Sequence, residues 1–192
     1  MQKPGKTPKP LAAPLENPMI ASDRVPANAS GEPLSEKQIW QLLEEVKDPE
    51  VPAVSVVELG VVRQLSRQDG QLIVDVTPTY SGCPATDLIE ELIAEALMQG
   101  GVRDLQIKRV LTPAWTTDWI TSAGREKLRQ FGIAPPQGSA SKMTLLGQDQ
   151  QITCPHCGSK HTEQVSEFGS TACKALYRCA DCLEPFDYFK CI

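Results

Sequence analysis

Near its C-terminus the chain carries Cys154-Pro-His-Cys157 and Cys179-Ala-Asp-Cys182, two C-x-x-C pairs with 21 residues between them. Each pair suits a tight turn that presents two thiolates, and two facing turns make a closed tetrahedral site. Gly158 follows the first pair, where the backbone must bend towards sulfur. Leu183 holds the matching place in the second turn, which makes that turn the less regular of the two. Zinc is the expected structural ion, and iron takes the same four ligands. Roughly forty residues cannot readily build a core of their own, so a metal staple is what such a segment needs. A redox dithiol usually has one C-x-x-C near a βαβ unit, not two. Glu163, Glu167, Tyr177, Phe186, Tyr188 and Phe189 are expected around the site. Cys173 and Cys191 fall outside the two pairs. They read as a small buried hydrophobe and a surface thiol. The alternative, a second metal-handling pair with His156 or His161, has no ligand spacing behind it. His156 reads as a solvent-facing residue of the first turn.

Seven cysteines in one chain call for a compartment. The N-terminus has no apolar signal core, and no run approaches the roughly 20 apolar residues that span a bilayer. A cytoplasmic location and no membrane partner are therefore expected. Reduced thiols there point to metal binding or reactivity more than to disulfides. The net charge of −5 and a pI near 5.1 argue against nucleic acid as a partner.

Seven of the 16 prolines lie in residues 1–34, with no sustained periodicity, which reads as a disordered Pro-rich tail. Order is expected from Ser35, an N-cap that Gln38 completes as a capping box. Ile39, Leu42, Leu43 and Val46 form a helical stripe that ends near Asp48-Pro49. VPAVSVVELGVV reads as a buried extended segment broken at Gly60. Val62 to Arg67 and Gln71 to Thr77 flank Asp69-Gly70, a hairpin signal. Leu88, Ile89, Leu92, Ile93, Ala96 and Leu97 make a second helical stripe closed by Gly100-Gly101. Asp87, Glu90, Glu91 and Glu95 read as its solvated face. Leu105, Ile107 and Leu111 suggest a third strand, and Thr121 caps a short helix to Phe131. The expected class is α+β: a small mixed sheet with helices over residues 35–136, a linker over 137–150 and a zinc-ribbon-like module over 151–192.

TPTYSGCPAT, Thr77 to Thr86, holds the remaining chemistry. Pro84 fits a first helical position, which would make Cys83 the N-cap, facing unpaired N–H groups and the positive end of the helix dipole. That setting favours a reactive thiolate. Asp87 and Glu90 act against it. A cysteine nucleophile wants a histidine, yet His156 and His161 both lie in the cysteine-rich segment. No glycine-rich phosphate loop or H-E-x-x-H is present. Metal or cluster ligation and plain packing of a buried thiol both stay open.

Asp48-Pro49-Glu50-Val51-Pro52, Glu58-Leu59-Gly60-Val61-Val62 and Thr79-x-x-x-Cys83-Pro84 resemble the small α/β domain of iron–sulfur assembly proteins of the SufT-like kind. That resemblance implies cluster or metal work at Cys83, with Asp48, Glu50 and Thr79 assisting. TPTYSGCPAT, PAWTTDWIT, SEFGSTACKALYRC and EPFDYFKCI are similar to the accessory D-type subunits of bacterial phenylacetyl-CoA epoxidases, over roughly residues 35–192. This implies an accessory role in phenylacetate degradation beside a di-iron oxygenase and an iron–sulfur reductase. Maturation of one of their metal centres is the implied task, with transient Fe or Fe–S as cargo and no catalysis of its own. The chain itself has no Glu-x-x-His pairs, dinucleotide fingerprint or ferredoxin cysteine spacing. A structural or regulatory subunit and an enzyme acting on the CoA substrate are the competing readings. Trp115 and Trp119 could form a contact patch or fill the core.

Overall fold

The computed structural model describes residues 33–137 and 151–190. The expected tail, nearly all of the expected linker and Cys191 lie outside the described residues. The first helix, α1 (Glu36–Glu45), starts from the capping box: Ser35 N–H donates to Gln38 Oε1 at 2.9 Å, and Gln38 N–H donates back to Ser35 Oγ at 3.4 Å. It buries Ile39 and Leu43 and stops at Glu45, three residues before the expected Asp48. Asp48 is spent otherwise. Its Oδ1 accepts the N–H groups of Glu50 at 2.9 Å and Val51 at 2.8 Å, an Asx-type turn that competes with helix.

The segment VPAVSVVELGVV is buried as expected but is not extended. Its N–H groups are used locally, Val54 to Val51, Leu59 to Ser55 and Gly60 to Val57, so it folds as consecutive turns. Ser55 and Glu58 exchange hydrogen bonds of 3.0 and 3.1 Å across one of them. Gly60 has φ +69, and a Cβ there would stand 2.7 Å from Trp119 Cβ, so the turn needs glycine twice over.

Strands β1 (Val62–Gln68) and β2 (Gln71–Val76) pair antiparallel through Asp69-Gly70, both at positive φ, 51° and 90°. Helix α2 (Thr86–Gln99) then carries the chain back to β3 (Leu105–Arg109), which lies parallel to β2. The sheet order is β1-β2-β3. Leu72, Val74 and Val76 on one face of β2 join Ile39 and Leu43 of α1 and Ile89, Ile93 and Leu97 of α2 in one buried cluster. The acidic face of α2 is only partly solvated. Arg109 of β3 reaches Asp87 at 2.6 Å and Glu90 at 2.7 Å and clamps the helix to the sheet edge.

After β3, Thr121 caps α3 (Ser122–Gln130) through the Gly124 N–H at 3.0 Å, and Gly132, φ 87, ends it. The chain next forms β4 (Ile133–Ala134). Strands β5 (Thr162–Ser166), β6 (Lys174–Cys179) and β7 (Pro185–Phe189) form the C-terminal ribbon. Its sheet order is β4-β7-β6-β5, so a strand from the first part of the chain completes the second sheet. The hydrophobic core crosses the same boundary. Phe189 and Cys173 belong to the cluster of the first domain, and Trp115 lies 6.1 Å from Phe189. Trp115 is therefore a core residue, with its indole N–H on the Leu59 carbonyl at 3.0 Å. Trp119 is half-buried under the Arg63 guanidinium at 3.4 Å. Among the described residues no helix is long and apolar enough to cross a membrane.

Candidate functional site

The two C-x-x-C turns come together as their spacing implies. The Sγ atoms of Cys154, Cys157, Cys179 and Cys182 all lie within 4.8 Å of one another, with Cys154–Cys182 at 3.7 Å and Cys157–Cys179 at 3.6 Å. Sulfurs about 2.3 Å from a tetrahedral ion stand ~3.8 Å apart, so this ring fits a metal ion. Both turns have the same backbone. Gly158 N–H returns to the Cys154 carbonyl and Leu183 N–H to the Cys179 carbonyl, each at 3.0 Å. Gly158 has φ 77 and Leu183 has φ 67. The leucine thus adopts the left-handed conformation that glycine adopts in the first turn. Backbone N–H groups point at sulfur: those of Cys182 and Asp181 hold the Cys179 thiol down to about 6 against its burial. Asp181 braces the turns by accepting from Ser159 Oγ at 2.5 Å and facing His161 Nδ1 at 3.3 Å. His156 is exposed, packs edge-on to Phe186 and abuts Gly132.

The second chemical feature lies at the C-terminal end of β2. After Thr77 the chain makes two successive turns. Cys83 N–H donates to the Tyr80 carbonyl at 3.1 Å, and the Cys83 carbonyl accepts from Thr86 N–H at 3.3 Å and Thr86 Oγ1 at 2.9 Å. Helix α2 therefore begins at Thr86, with Ala85 as its N-cap and no side-chain cap. Cys83 is not the N-cap, and Pro84 is not the first helical residue. The Thr86 hydroxyl captures the Cys83 carbonyl, and the helix starts two residues later than expected. Cys83 is half-buried and Thr79, in the same loop, is buried.

Cys83 is not isolated. Tyr80 and the Cys83 side chain both pack against the buried core of the first domain. Burial, then the charges of Cys83, Glu50 and Cys173, push the Tyr80 hydroxyl up. Burial pushes the Asp48 carboxyl up, against the Val51 and Glu50 N–H groups and Lys174. Burial and Asp48 likewise push Glu50 up.

Two further residues stand in this corner that the sequence does not place there. Cys173 is buried against the first domain, and burial pushes its thiol up. Lys174 is only 3% exposed, with Nζ 3.5 Å from the Glu50 carbonyl and 3.8 Å from Asp187 Oδ2. Both belong to the ribbon strand entry and lack ligand spacing, so only the packing of the two parts brings them here.

Residues 36–106 match the family model described as iron-sulfur cluster assembly protein, and residues 138–190 match the PaaD zinc beta ribbon domain. The putative D component of the 1,2-phenylacetyl-CoA epoxidase of Escherichia coli is 49% identical over 155 residues, 81% of this chain and 92% of that protein. An Fe-S protein maturation auxiliary factor of Porphyromonas gingivalis is 33% identical over 89 residues, 45% of this chain and 84% of that protein. A domain of unknown function, DUF59, from Bacillus anthracis shares 25% identity at a TM-score of 0.46, over 48% of this chain and 90% of that one. An assembly-type domain joined to a four-thiol ribbon, with 49% identity over 155 residues to 92% of that E. coli protein, places the chain in the PaaD family of phenylacetyl-CoA epoxidase subunits.

Proposed function

We propose that this chain is an accessory subunit of the phenylacetyl-CoA 1,2-epoxidase system in phenylacetate degradation. Its task is to help mature a metal centre of a partner, either the iron–sulfur cluster of the reductase or the di-iron site of the oxygenase. The observation that supports this reading is the half-buried Cys83 thiol in the loop between β2 and α2, inside the segment that matches the iron-sulfur cluster assembly model. A thiolate is a soft donor that iron accepts. Cys83 is the residue that holds and releases the cargo. Asp48, Glu50 and Thr79 shape its surroundings. Half-burial suits this work, because the thiol is shielded yet within reach of a client. Cys154, Cys157, Cys179 and Cys182 hold a structural zinc, which would fix the ribbon for docking. A reducing cytoplasm would keep all of these thiols available.

The names of the relatives support this reading from two sides, one an epoxidase component and the other a maturation factor. The core shared by Trp115 and Phe189 favours a second reading, a rigid structural subunit without cargo. Cys83→Ser separates the two. The oxygenase and reductase are produced with the wild-type or variant protein, and their iron content is measured. Maturation at Cys83 requires a several-fold fall in iron in one of them. Full iron loading with the variant would sink the reading and leave the structural role.

A further inference from the structure

Strand β6 joins the ribbon thiols to the acidic turn of the first domain. It ends at Cys179, one of the four thiols of the ring, and begins at Lys174, which reaches Glu50. About 17 Å of extended chain separates these two ends.

Lys174 is 3% exposed and lies opposite Phe189 in the β6–β7 ladder. Its Nζ stands 3.8 Å from Asp187 Oδ2 and 3.5 Å from the carbonyl of Glu50, 124 residues away in sequence. The ribbon fixes both members of the ion pair. Ser170 Oγ donates to Asp187 Oδ2 at 2.9 Å, and Gly169 N–H donates to the Lys174 carbonyl at 2.8 Å. A Cβ at Gly169 would stand 2.5 Å from Asp187 Oδ1, so the loop before β6 closes tightly over the pair.

Glu50 is thereby held from two sides. Its N–H donates to Asp48 Oδ1 at 2.9 Å, within its own turn, and its carbonyl faces the lysine of the ribbon. Burial raises the Asp48 carboxyl, and the lysine charge opposes that rise. The ammonium is balanced by Asp187, with the Asp48 and Glu50 carboxyls in its field. A buried ion pair adds little net stability, and its best-attested use is to fix one arrangement over others. An apolar side chain of the same length would fill the space without specifying where the acidic turn lies.

We propose that Lys174 is a positioning residue: through it the ribbon sets the Asp48-Pro49-Glu50 turn in the form that iron handling requires, so that the ribbon metal and the acidic turn are coupled along one strand. This deepens the reading given under Proposed function and rests on it. The ribbon then does more than dock a client. Its folding around four thiols places the lysine, and the lysine places the turn.

The test uses the full chain with zinc in the ribbon. Exchange of the Glu50 and Val51 amide protons, both held by Asp48, reads the order of the turn by nuclear magnetic resonance. Lys174→Met keeps the length and removes the charge. It should speed this exchange several-fold at unchanged zinc content, and Lys174→Arg should keep it slow. Asp187→Asn is a milder second variant that leaves the lysine and removes its anchor, and it should act in the same direction by a smaller factor. Chelation of zinc from wild type should also speed the exchange, yet add nothing in Lys174→Met, because perturbations along one coupling are not additive. Lys174→Met should further lower iron in the same partner subunit that Cys83→Ser affects, with recovery in Lys174→Arg. Unchanged exchange in both Lys174→Met and Asp187→Asn, or additive effects of chelation and substitution, would overturn the coupling. A loosened turn with full iron loading would remove the positioning role and leave the Cys83 reading standing. If Cys83→Ser itself leaves iron loading intact, both fall.

Discussion

Trp115 and Phe189 meet at 6.1 Å with their rings tilted by 51°, and this contact welds the ribbon to the assembly-type domain. Phe189 is almost wholly buried, so Phe189→Ala removes a large part of the shared core. A loss of about 3–5 kcal/mol is expected for truncating a buried phenylalanine. Because the contact is shared, tryptophan fluorescence and far-ultraviolet dichroism of wild type should report one unfolding midpoint. Two separated midpoints would show that the parts fold independently.

Leu183 at φ 67 occupies a conformation that costs a residue with a Cβ about 1–2 kcal/mol. The side chain is largely exposed, so little packing is lost by removing it. Leu183→Gly should therefore stabilise the metal-bound protein by about 1 kcal/mol in denaturant titrations. Gly158→Ala should do the reverse by a similar amount.

Removal of the ribbon metal should be felt beyond the ribbon. Cys154→Ser should abolish zinc binding, because the ring of four has no spare donor among the described residues. Loss of the staple should then loosen β6 and β7, and with them Phe189. The near-ultraviolet dichroism of Trp115 should change on chelation. An unchanged signal would mean that the core contact holds without the metal.

Asp48 links stability to pH. Its carboxyl is raised in the folded protein, so the folded state holds this proton more tightly than the unfolded chain does. Its contribution is full below the ordinary carboxylate range and is lost as pH rises through the folded value. Asp48→Asn keeps an oxygen for the Glu50 and Val51 N–H groups and removes the buried charge. The variant should be more stable than wild type at pH 7, and the difference should shrink as pH falls into the carboxylate range. Urea midpoints over that range measure it. Iron loading of the partner subunits should fall in the same variant, as happens where a site retains an unfavourable charge for function.

What sequence reveals in this chain is local. Ser35 with Gln38, Asp69 with Gly70 and Thr121 with Gly124 each act within four residues, and each folds as its pattern implies. The four thiols are legible because their spacing alone defines a closed ligand set. The turns through Ser55 and Glu58 are not, since continuous apolar residues hide whether N–H groups are used locally or by a neighbouring strand. The Cys83 loop departs from its pattern for a related reason: the Thr86 hydroxyl competes for its carbonyl and postpones the helix. Cys173 and Lys174 have no local signal for their place beside Glu50. It follows from the docking of two sheets, which no short-range pattern encodes.

Strand β4 comes from the segment that follows α3, yet it pairs in parallel with β7 at Ile133–Asp187 and Ala134–Tyr188. The ribbon is therefore not a cassette that can be excised at the cysteines. A fragment beginning at Gln151 would carry all four thiols and still present the β7 edge bare, an open invitation to pair with another copy. Conversely, a single nick between 138 and 150 should leave the two pieces interlocked, the first supplying β4 to the ribbon sheet and the second supplying Phe189 and Cys173 to the first core.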